Sequence, residues 1–307
     1  MKVFASIQEA SNGELKGAAA CLGNFDGVHL GHQALFTEAA KHGKVAAVTF
    51  LPHPGKVLQP QLAPRLIVLQ ARKLELLEAA GAAFVVVQPF TLDYAKSSPA
   101  QFEASLFDGL GVGAIVVGTD FTYGQKRAGT VATLTEAAKA RGAKVVAVAP
   151  VTVEGVVVSS SKIREYVLEG RVEAAARFLS RPFDLEGVVV PGAGRGRTIG
   201  FPTANIDTAN ELRPAPGVYA IRVRVPGEET LRGGAANIGV KPTFGGGEVT
   251  IEAHLFDYSG DLYGQRLRVE FLERLRAEKR FGSADELSAQ IARDLEAARE
   301  AVARSFT

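Results

Sequence analysis

The fold of the first half of this chain is decided by residues 18–40, which read AAACLGNFDGVHLGHQALFTEAA. An apolar run precedes a glycine-rich turn, and apolar residues at helical spacing, such as Leu35 and Phe36, follow it. This pattern predicts a strand, a tight turn and a helix, with His29 and His32 at the turn. Backbone N–H groups at a helix N-terminus attract phosphate, and imidazoles beside them stabilise developing negative charge. The stretch therefore predicts a site that binds and opens a nucleoside triphosphate.

Bulk composition narrows the class of protein. The 307 residues suffice for two domains, and 47% of them are apolar. The 35 Lys and Arg nearly balance the 33 Asp and Glu, so we predict no nucleic-acid partner. The single cysteine, Cys21, excludes an intrachain disulfide, fits a reducing compartment and is predicted to lie in the core. Without a signal peptide or an apolar run of membrane-spanning length, we expect a cytoplasmic protein with no membrane partner. Self-association is compatible with this composition.

The first half alternates strands with helices. Apolar runs predict strands at 18–24, 44–50, 83–90, 113–118 and 144–149, and periodic segments predict helices near 66–80, 99–108 and 131–141. Continuous apolar strands between helices are typical of a Rossmann-like α/β domain with a parallel sheet. Ligands of such sheets bind at the carboxyl ends of the strands, which is where His29 and His32 lie.

The second half of the chain has a different pattern of apolar residues. Two short helices are predicted within 159–180, on either side of Gly170. Five runs rich in Val, Ile and Tyr then lie between Gly and Pro clusters, at 185–190, 217–225, 231–239, 248–256 and 267–274. They predict an antiparallel sheet or β-barrel. A long helix, with Ser283 and Glu286 as a capping box, closes the chain. We place the domain boundary near 181–184, which gives domains 1–182 and 183–307.

Three further loops of the first half carry chemically useful side chains. In TFLPHP (49–54), two prolines hold His53 at a loop tip, although an exposed histidine in a rigid turn is an equal alternative. In GTDFTYGQKRAG (118–129), Asp120 can accept hydrogen bonds from a sugar or a base, unless the loop is merely solvated. In SSSKIR (159–164), Ser160 and Arg164 predict an anion site at a helix start, where ordinary N-capping is the alternative.

These four segments, in this order, resemble the adenylyltransferase module of the prokaryotic bifunctional riboflavin kinase/FAD synthetases. The resemblance implies that FMN attacks the α-phosphorus of ATP and that pyrophosphate leaves. It implies contacts to ATP from the turn residues and from the two later loops: Gly23, Asn24, Asp26, His29, Gly31, His32, Asp120, Ser160 and Arg164. It also implies flavin contacts from His53 and Phe121, whereas Leu51 stands where the family usually has an acidic residue.

The sharpest motif of the second half is GRGRTIGFPTAN (194–205). Alternating glycines and arginines predict a cationic flap whose backbone can approach phosphate. The hydroxyl of Thr203 and the amide oxygen of Asn205 project to one face of an extended segment and are hard ligands that suit Mg²⁺. Further on, alternation places Glu252 on the polar face of a strand, where it could accept a proton from an alcohol or simply be solvated.

These segments resemble the riboflavin kinase module over essentially all of 183–304. The resemblance implies a six-stranded barrel in which the 5′-hydroxyl of riboflavin attacks the γ-phosphate of ATP. It implies Glu252 as the catalytic base, Thr203 and Asn205 as Mg²⁺ ligands, and Arg276 as a flavin contact. Gly194, Gly196 and Gly200 would approach the ATP phosphates.

We therefore predict a two-domain enzyme that converts riboflavin to FMN and FMN to FAD, with ATP as co-substrate and Mg²⁺ as cofactor. Two rival hypotheses remain. In one, only one activity is live, and Leu51 is the departure that raises this question. In the other, the chain binds flavin or nucleotide without turnover, which would leave the base Glu252 without a task.

Overall fold

The computed structural model describes residues 1–192, 200–241 and 248–305. It contains two compact units, Met1–Arg65 with Gln70–Ser159, and Leu66–Leu69 with the chain from Ser160 onward. Helices and strands are numbered below in chain order.

The first unit is built on a six-stranded parallel sheet with the strand order β1-β4-β3-β2-β5-β8. The strands are β1 (Lys2–Phe4), β2 (Ala19–Leu22), β3 (Val45–Leu51), β4 (Phe84–Pro89), β5 (Ala114–Gly118) and β8 (Lys144–Val148), and two small hairpins add β6 (Thr122–Tyr123), β7 (Gly129–Thr130), β9 (Thr152–Val153) and β10 (Val156–Val157). The helices are α1 (Ile7–Ala10), α2 (Leu30–Ala39), α3 (Pro54–Leu58), α4 (Gln70–Ala79), α5 (Pro99–Ala104) and α6 (Val131–Lys139).

The central strands are buried on both faces. In β2, Ala20 and Leu22 belong to one apolar core, while Ala19 and Cys21 belong to a second core on the opposite face. A strand covered on both faces has no polar alternation, which is why the apolar runs of the sequence are continuous. The prediction of a parallel α/β sheet is confirmed.

The connections of this sheet create a binding position. The chain leaves β2 toward β3 on one side, whereas β5 pairs with β2 on the other side. In open α/β sheets, ligands bind where the strand order reverses in this way, at the carboxyl ends of the strands. The loops after β2, β3 and β5 therefore meet at one edge of the sheet.

The second unit is a closed antiparallel barrel with the strand order β11-β12-β15-β14-β13-β16. Its strands are β11 (Phe183–Val190), β12 (Ala204–Asp207), β13 (Gly217–Arg224), β14 (Arg232–Lys241), β15 (Glu248–Leu255) and β16 (Arg266–Ala277), and its helices are α7 (Ser160–Leu168), α8 (Val172–Leu179) and α9 (Ala284–Arg304). Ala298 and Val302 of α9 share a core with Ala220 and Ala235 of the barrel. The predicted barrel with a terminal helix is confirmed.

Some element boundaries differ from the prediction. The helix predicted over 66–80 begins at Gln70, because 66–69 pack with the second unit, where Leu66 N donates to Glu211 Oε2. The helix predicted over 99–108 leaves α-helical geometry at Ser105 in a π-turn. The capping box of α9 forms by half, since Ser283 Oγ accepts from Glu286 N while the Glu286 carboxylate accepts from Gly282 N. The compact units divide at 159/160, and the division of the two activities at 182/183 remains a prediction.

Candidate active sites

Hydrogen bonds from neighbouring elements hold the turn after β2 in place. Gly23 N donates to Val48 O, and the carbonyl oxygen of Asn24 accepts from Thr49 Oγ1 at 3.1 Å and from Lys73 Nζ at 3.2 Å. Phe25 and Val28 both have positive φ, at 48° and 43°, a conformation that costs energy in residues other than glycine. A strained turn persists only where its surroundings hold it, and such turns cluster at functional sites.

His29 and His32 are brought together at the start of α2. His29 is the N-cap, and its Nδ1 accepts a hydrogen bond from His32 N at 3.3 Å. The two rings stack, with centroids 3.6 Å apart and an angle of 17° between the planes. An accepting Nδ1 carries no proton, so the proton of the neutral His29 ring lies on Nε2. Burial of the ring, helped by His29 and Lys73, holds the pKa of His32 well below its usual value.

Gly31 lies between the two histidines because a side chain there would displace His29. A Cβ at Gly31 would lie 3.2 Å from both Cε1 and Nδ1 of the His29 ring and 3.6 Å from the carbonyl oxygen of Val158. The glycine of the His-x-Gly-His motif thus lets the capping imidazole fold back over its own helix.

Two other strand ends present the remaining predicted residues of this unit. After β3, His53 caps α3 through Nδ1, which accepts from Gly55 N at 3.1 Å, so His53 is half-buried in an ordered turn. The Leu51–Pro52 peptide in this turn is cis, and the side chain of Leu51 is 42% exposed. After β5, Asp120 is exposed and Phe121 stacks on Tyr123 with centroids 5.8 Å apart.

Ser160 is the first residue of α7 and Arg164 lies one turn further on, in a helix that belongs to the second compact unit. Both are half-buried. Their predicted role at ATP phosphates therefore stays a prediction.

In the barrel, three predicted polar residues are brought together. Thr203 Oγ1 donates to Glu252 Oε2 at 3.4 Å. Asn205 of β12 is the register partner of Glu252 on β15, and Asn237 of β14 is its partner on the other side. A Cβ at Gly192 would clash with the amide nitrogen of Asn205, so this side chain folds closely against the chain that leaves β11.

A cavity of about 550 Å³ opens beside this group, a volume that suits a small-molecule ligand. Its walls include Thr203, Ala253 and Leu255, together with Tyr258 and Tyr263 of the loop after β15. Gly200, at the end of the predicted flap, is exposed with φ of +85°. Gly194 and Gly196 lie outside the described residues.

Arg276 takes part in a different interaction from the one predicted. Its guanidinium forms an ion pair with Asp294 of α9, with Nη2 to Oδ2 at 2.7 Å and Nε to Oδ1 at 2.9 Å. Asp294 is buried, and Arg276 is not among the residues that line the 550 Å³ cavity. The contact ties the terminal helix to β16, and the flavin contact of Arg276 stays a prediction.

Two residues of these sites escaped the sequence analysis. Lys73 is buried beneath the turn after β2, and no motif of the sequence singles it out. His254 Nδ1 donates to the carbonyl oxygen of Pro202 at 2.8 Å and thereby ties the segment before Thr203 to β15. The available signal was strand alternation, because residues 252 and 254 of a strand lie on the same face.

Comparisons with known proteins match the two halves of the chain to two different family models. A family model described as FAD synthetase matches residues 11–162, and one described as riboflavin kinase matches residues 179–302. A bifunctional riboflavin kinase/FMN adenylyltransferase of Escherichia coli (strain K12) is 36% identical over 306 residues, which covers 98% of this chain and 97% of the relative. The chain belongs to this family. The Bacillus subtilis (strain 168) member is 38% identical over 283 residues and is covered to 89%, as is this chain.

The same family architecture occurs in a solved structure. A crystal structure from Streptococcus pneumoniae, named a macrolide-efflux protein, matches with a TM-score of 0.89 at 31% identity and covers 97% of this chain and 99% of its own. Its likeness extends over both halves of the chain. In the part of the chain that the structure describes, no helix is long and apolar enough to span a membrane.

Proposed function

We propose that this chain phosphorylates riboflavin to FMN in its barrel and transfers an adenylyl group from ATP to FMN in its first unit. The observation that carries the proposal is that each unit brings together the polar side chains at the centre of its predicted site. The turn after β2 holds His29 and His32 together, and the barrel holds Thr203, Asn205 and Glu252 together. We assign residues 1–182 to adenylyl transfer and 183–307 to phosphorylation.

In the kinase step, the 5′-hydroxyl oxygen of riboflavin bonds to the γ-phosphorus of ATP as the bond to the β,γ-bridging oxygen breaks and ADP leaves. Glu252 takes the hydroxyl proton. Its hydrogen bond from Thr203, at 3.4 Å, orients one carboxylate oxygen and leaves the other for substrate. Positioning of this kind supplies most of the catalysis in phosphoryl transfer, because the protein forms no covalent bond.

Thr203 and Asn205 fit a magnesium ion. Both offer neutral oxygens, and Mg²⁺ is commonly bound by a few protein oxygens together with substrate phosphates and water. Among the described residues, no cluster of three or more His, Cys, Asp or Glu side chains could hold a metal ion. When bound, the ion would neutralise charge on the ATP phosphates.

In the adenylyl step, a phosphate oxygen of FMN bonds to the α-phosphorus of ATP and pyrophosphate leaves. His29 donates from Nε2 to a phosphate oxygen, and the N-terminus of α2, at Leu30 and Gly31, faces the same charge. Asn24 and Asp26 shape the turn. His32 contacts the ATP phosphates as well, and its ring stacks on that of His29.

The remaining assignments follow the strand ends. Asp120 contacts the adenosine part, and Ser160 and Arg164 hold the β- and γ-phosphates. His53 and Phe121 contact the flavin, with the exposed Leu51 beside His53 as an apolar surface for it. In the barrel, Gly194, Gly196 and Gly200 approach the ATP phosphates, and Arg276 contacts riboflavin. No nucleic-acid partner, no membrane partner and a cytoplasmic location remain part of the proposal.

The decisive experiment follows both products in one reaction. The purified protein with riboflavin, ATP and Mg²⁺ should form FMN first and FAD later, with ADP and pyrophosphate released in proportion, as separated by liquid chromatography. Accumulation of FMN without FAD would leave a riboflavin kinase only. Binding of riboflavin and ATP without any product would leave the binding-protein hypothesis.

A further inference from the structure

Lys73 is the one lysine or arginine among the buried residues of the described chain, with 6% of its surface exposed. It lies near the start of α4, and packing of this helix against the sheet requires no charged side chain. Burying an ammonium group is costly unless the group is paired and hydrogen-bonded. The position of Lys73 therefore requires an explanation that packing does not provide.

The partners of Lys73 both belong to the turn after β2. Its Nζ donates to the carbonyl oxygen of Asn24 at 3.2 Å. The second partner is Asp26, which is 2% exposed and whose charge attracts the ammonium. Burial lowers the pKa of Lys73, and the Asp26 carboxylate opposes that shift. The Lys73 ammonium thus both donates a hydrogen bond to the carbonyl oxygen of Asn24 and compensates the charge of the buried Asp26 carboxylate.

These contacts bear on the charge of the turn. A buried carboxylate beside a phosphate-binding turn would repel a triphosphate, and in the protein interior this repulsion is weakly screened. The Lys73 ammonium cancels it. The hydrogen bond to Asn24 also holds the carbonyl inward, together with Thr49 Oγ1, so that the carbonyl dipole faces away from the phosphate side.

We propose that Lys73 is a positioning residue for adenylyl transfer: its ammonium holds the turn from Gly23 to His32 in its phosphate-binding shape and offsets the charge of Asp26. This inference rests on the proposed function of the first unit. Lys73 acts through the turn and does not touch the reacting atoms.

Methionine at position 73 removes the charge and keeps a flexible apolar chain, whereas arginine keeps the charge. We expect Lys73→Met to lower the rate of FAD formation from added FMN by about 10-fold or more, since small misplacements at a site are costly. Lys73→Arg should recover part of that loss. Riboflavin phosphorylation in the same preparations reports the integrity of the chain. Lys44→Met, at an exposed lysine immediately before β3, is the matched control.

A second readout separates charge from packing. His32 faces two groups that oppose its protonation, His29 of its own helix and Lys73 of α4. Removing the Lys73 charge should therefore raise the pKa of His32, which can be followed by NMR titration of the imidazole, while Lys44→Met leaves it unchanged. A packing defect alone would not be relieved by arginine.

Three outcomes would overturn the proposal. They are FAD formation within twofold of wild type in Lys73→Met, equal losses in the Met and Arg variants, or an unchanged His32 titration. If the unaltered protein itself makes FMN but no FAD, the proposed function of the first unit fails, and this result is distinct from any effect of Lys73.

Discussion

The substitution Gly31→Ala should lower the rate of adenylyl transfer while leaving the stability of the protein nearly unchanged. Gly31 is the second residue of the helix, and its φ is not in the left-handed region, so alanine fits the backbone there. The added Cβ would lie 3.2 Å from Cε1 and Nδ1 of His29, where ordinary contacts lie at 3.4–4 Å. The His29 ring must therefore move by a few tenths of an ångström.

The substitution has two effects of opposite sign on the free energy of unfolding. The hydrogen bond from His32 N to His29 Nδ1 is already 3.3 Å long, and a further shift breaks the cap, at a cost of about 1 kcal/mol. Alanine in place of glycine in a helix returns about 0.5–1 kcal/mol. The free energy of unfolding should change by less than about 1 kcal/mol. The imidazole, however, leaves its position over His32, and a shift of this size should lower adenylyl transfer by roughly 10-fold.

The assay compares Gly31→Ala with wild type in FAD formation from FMN and ATP, in FMN formation from riboflavin, and in urea unfolding. Thr37→Ala, at an exposed position of the same helix, controls for altered helix propensity. Wild-type FAD formation by a folded Gly31→Ala protein would refute the idea that the His29 position depends on this glycine. Equal loss of both activities would show that the substitution acts through the whole chain.

Three further substitutions address single interactions. Glu252→Ala should lower FMN formation by about 10²-fold or more and leave conversion of added FMN to FAD largely intact; if both activities fell together, the two sites would not be independent. The pKa of His32 is depressed in the folded chain, so as the pH falls below about 6.5 the unfolded chain binds a proton at this residue before the folded chain does. The stability that is present above this pH is therefore lost as the pH falls through the pKa of folded His32. His32→Gln should reduce this loss in urea unfolding at pH 5.5 and 8, and an unchanged pH dependence would contradict it. His254→Leu removes the 2.8 Å bond to Pro202 and should lower the kcat/KM of the kinase for ATP about 10-fold, with FAD formation from FMN as the internal control.

The strands of the parallel sheet could be predicted because the signal for each strand lies within its own residues. Strands buried on both faces read as continuous apolar runs, and β2, β3 and β5 were predicted to within two residues of their observed ends. The rule that parallel strands end at one edge then brought the loops after them together. β1 and β12 were missed, since each has three or four residues and is defined by partners distant in the chain, such as Glu252 for Asn205.

The same distance explains the residues that were missed or found with unexpected partners. Lys73 stands in an amphipathic pattern that is typical of a solvated helix face, and only the position of α4 under the turn turns it inward. Arg276 was chosen by resemblance, but its partner Asp294 is 18 residues further on, in another element. No local signal joins an arginine in a strand to a carboxylate on a later helix.

The histidines of the first unit show why this chemistry uses imidazole. His29 and His53 both accept a backbone N–H at Nδ1, as serine or aspartate would at a helix start. Because that nitrogen must be unprotonated, the proton lies on Nε2, and each ring becomes a neutral donor directed away from its own helix. Serine would supply the cap without a second polar atom for a phosphate. Lysine would supply a charge without the cap, and its position would then depend on four rotatable bonds. The buried Lys73 beneath the turn does not replace these donors, because its charge is offset by Asp26 and its ammonium donates to the carbonyl oxygen of Asn24.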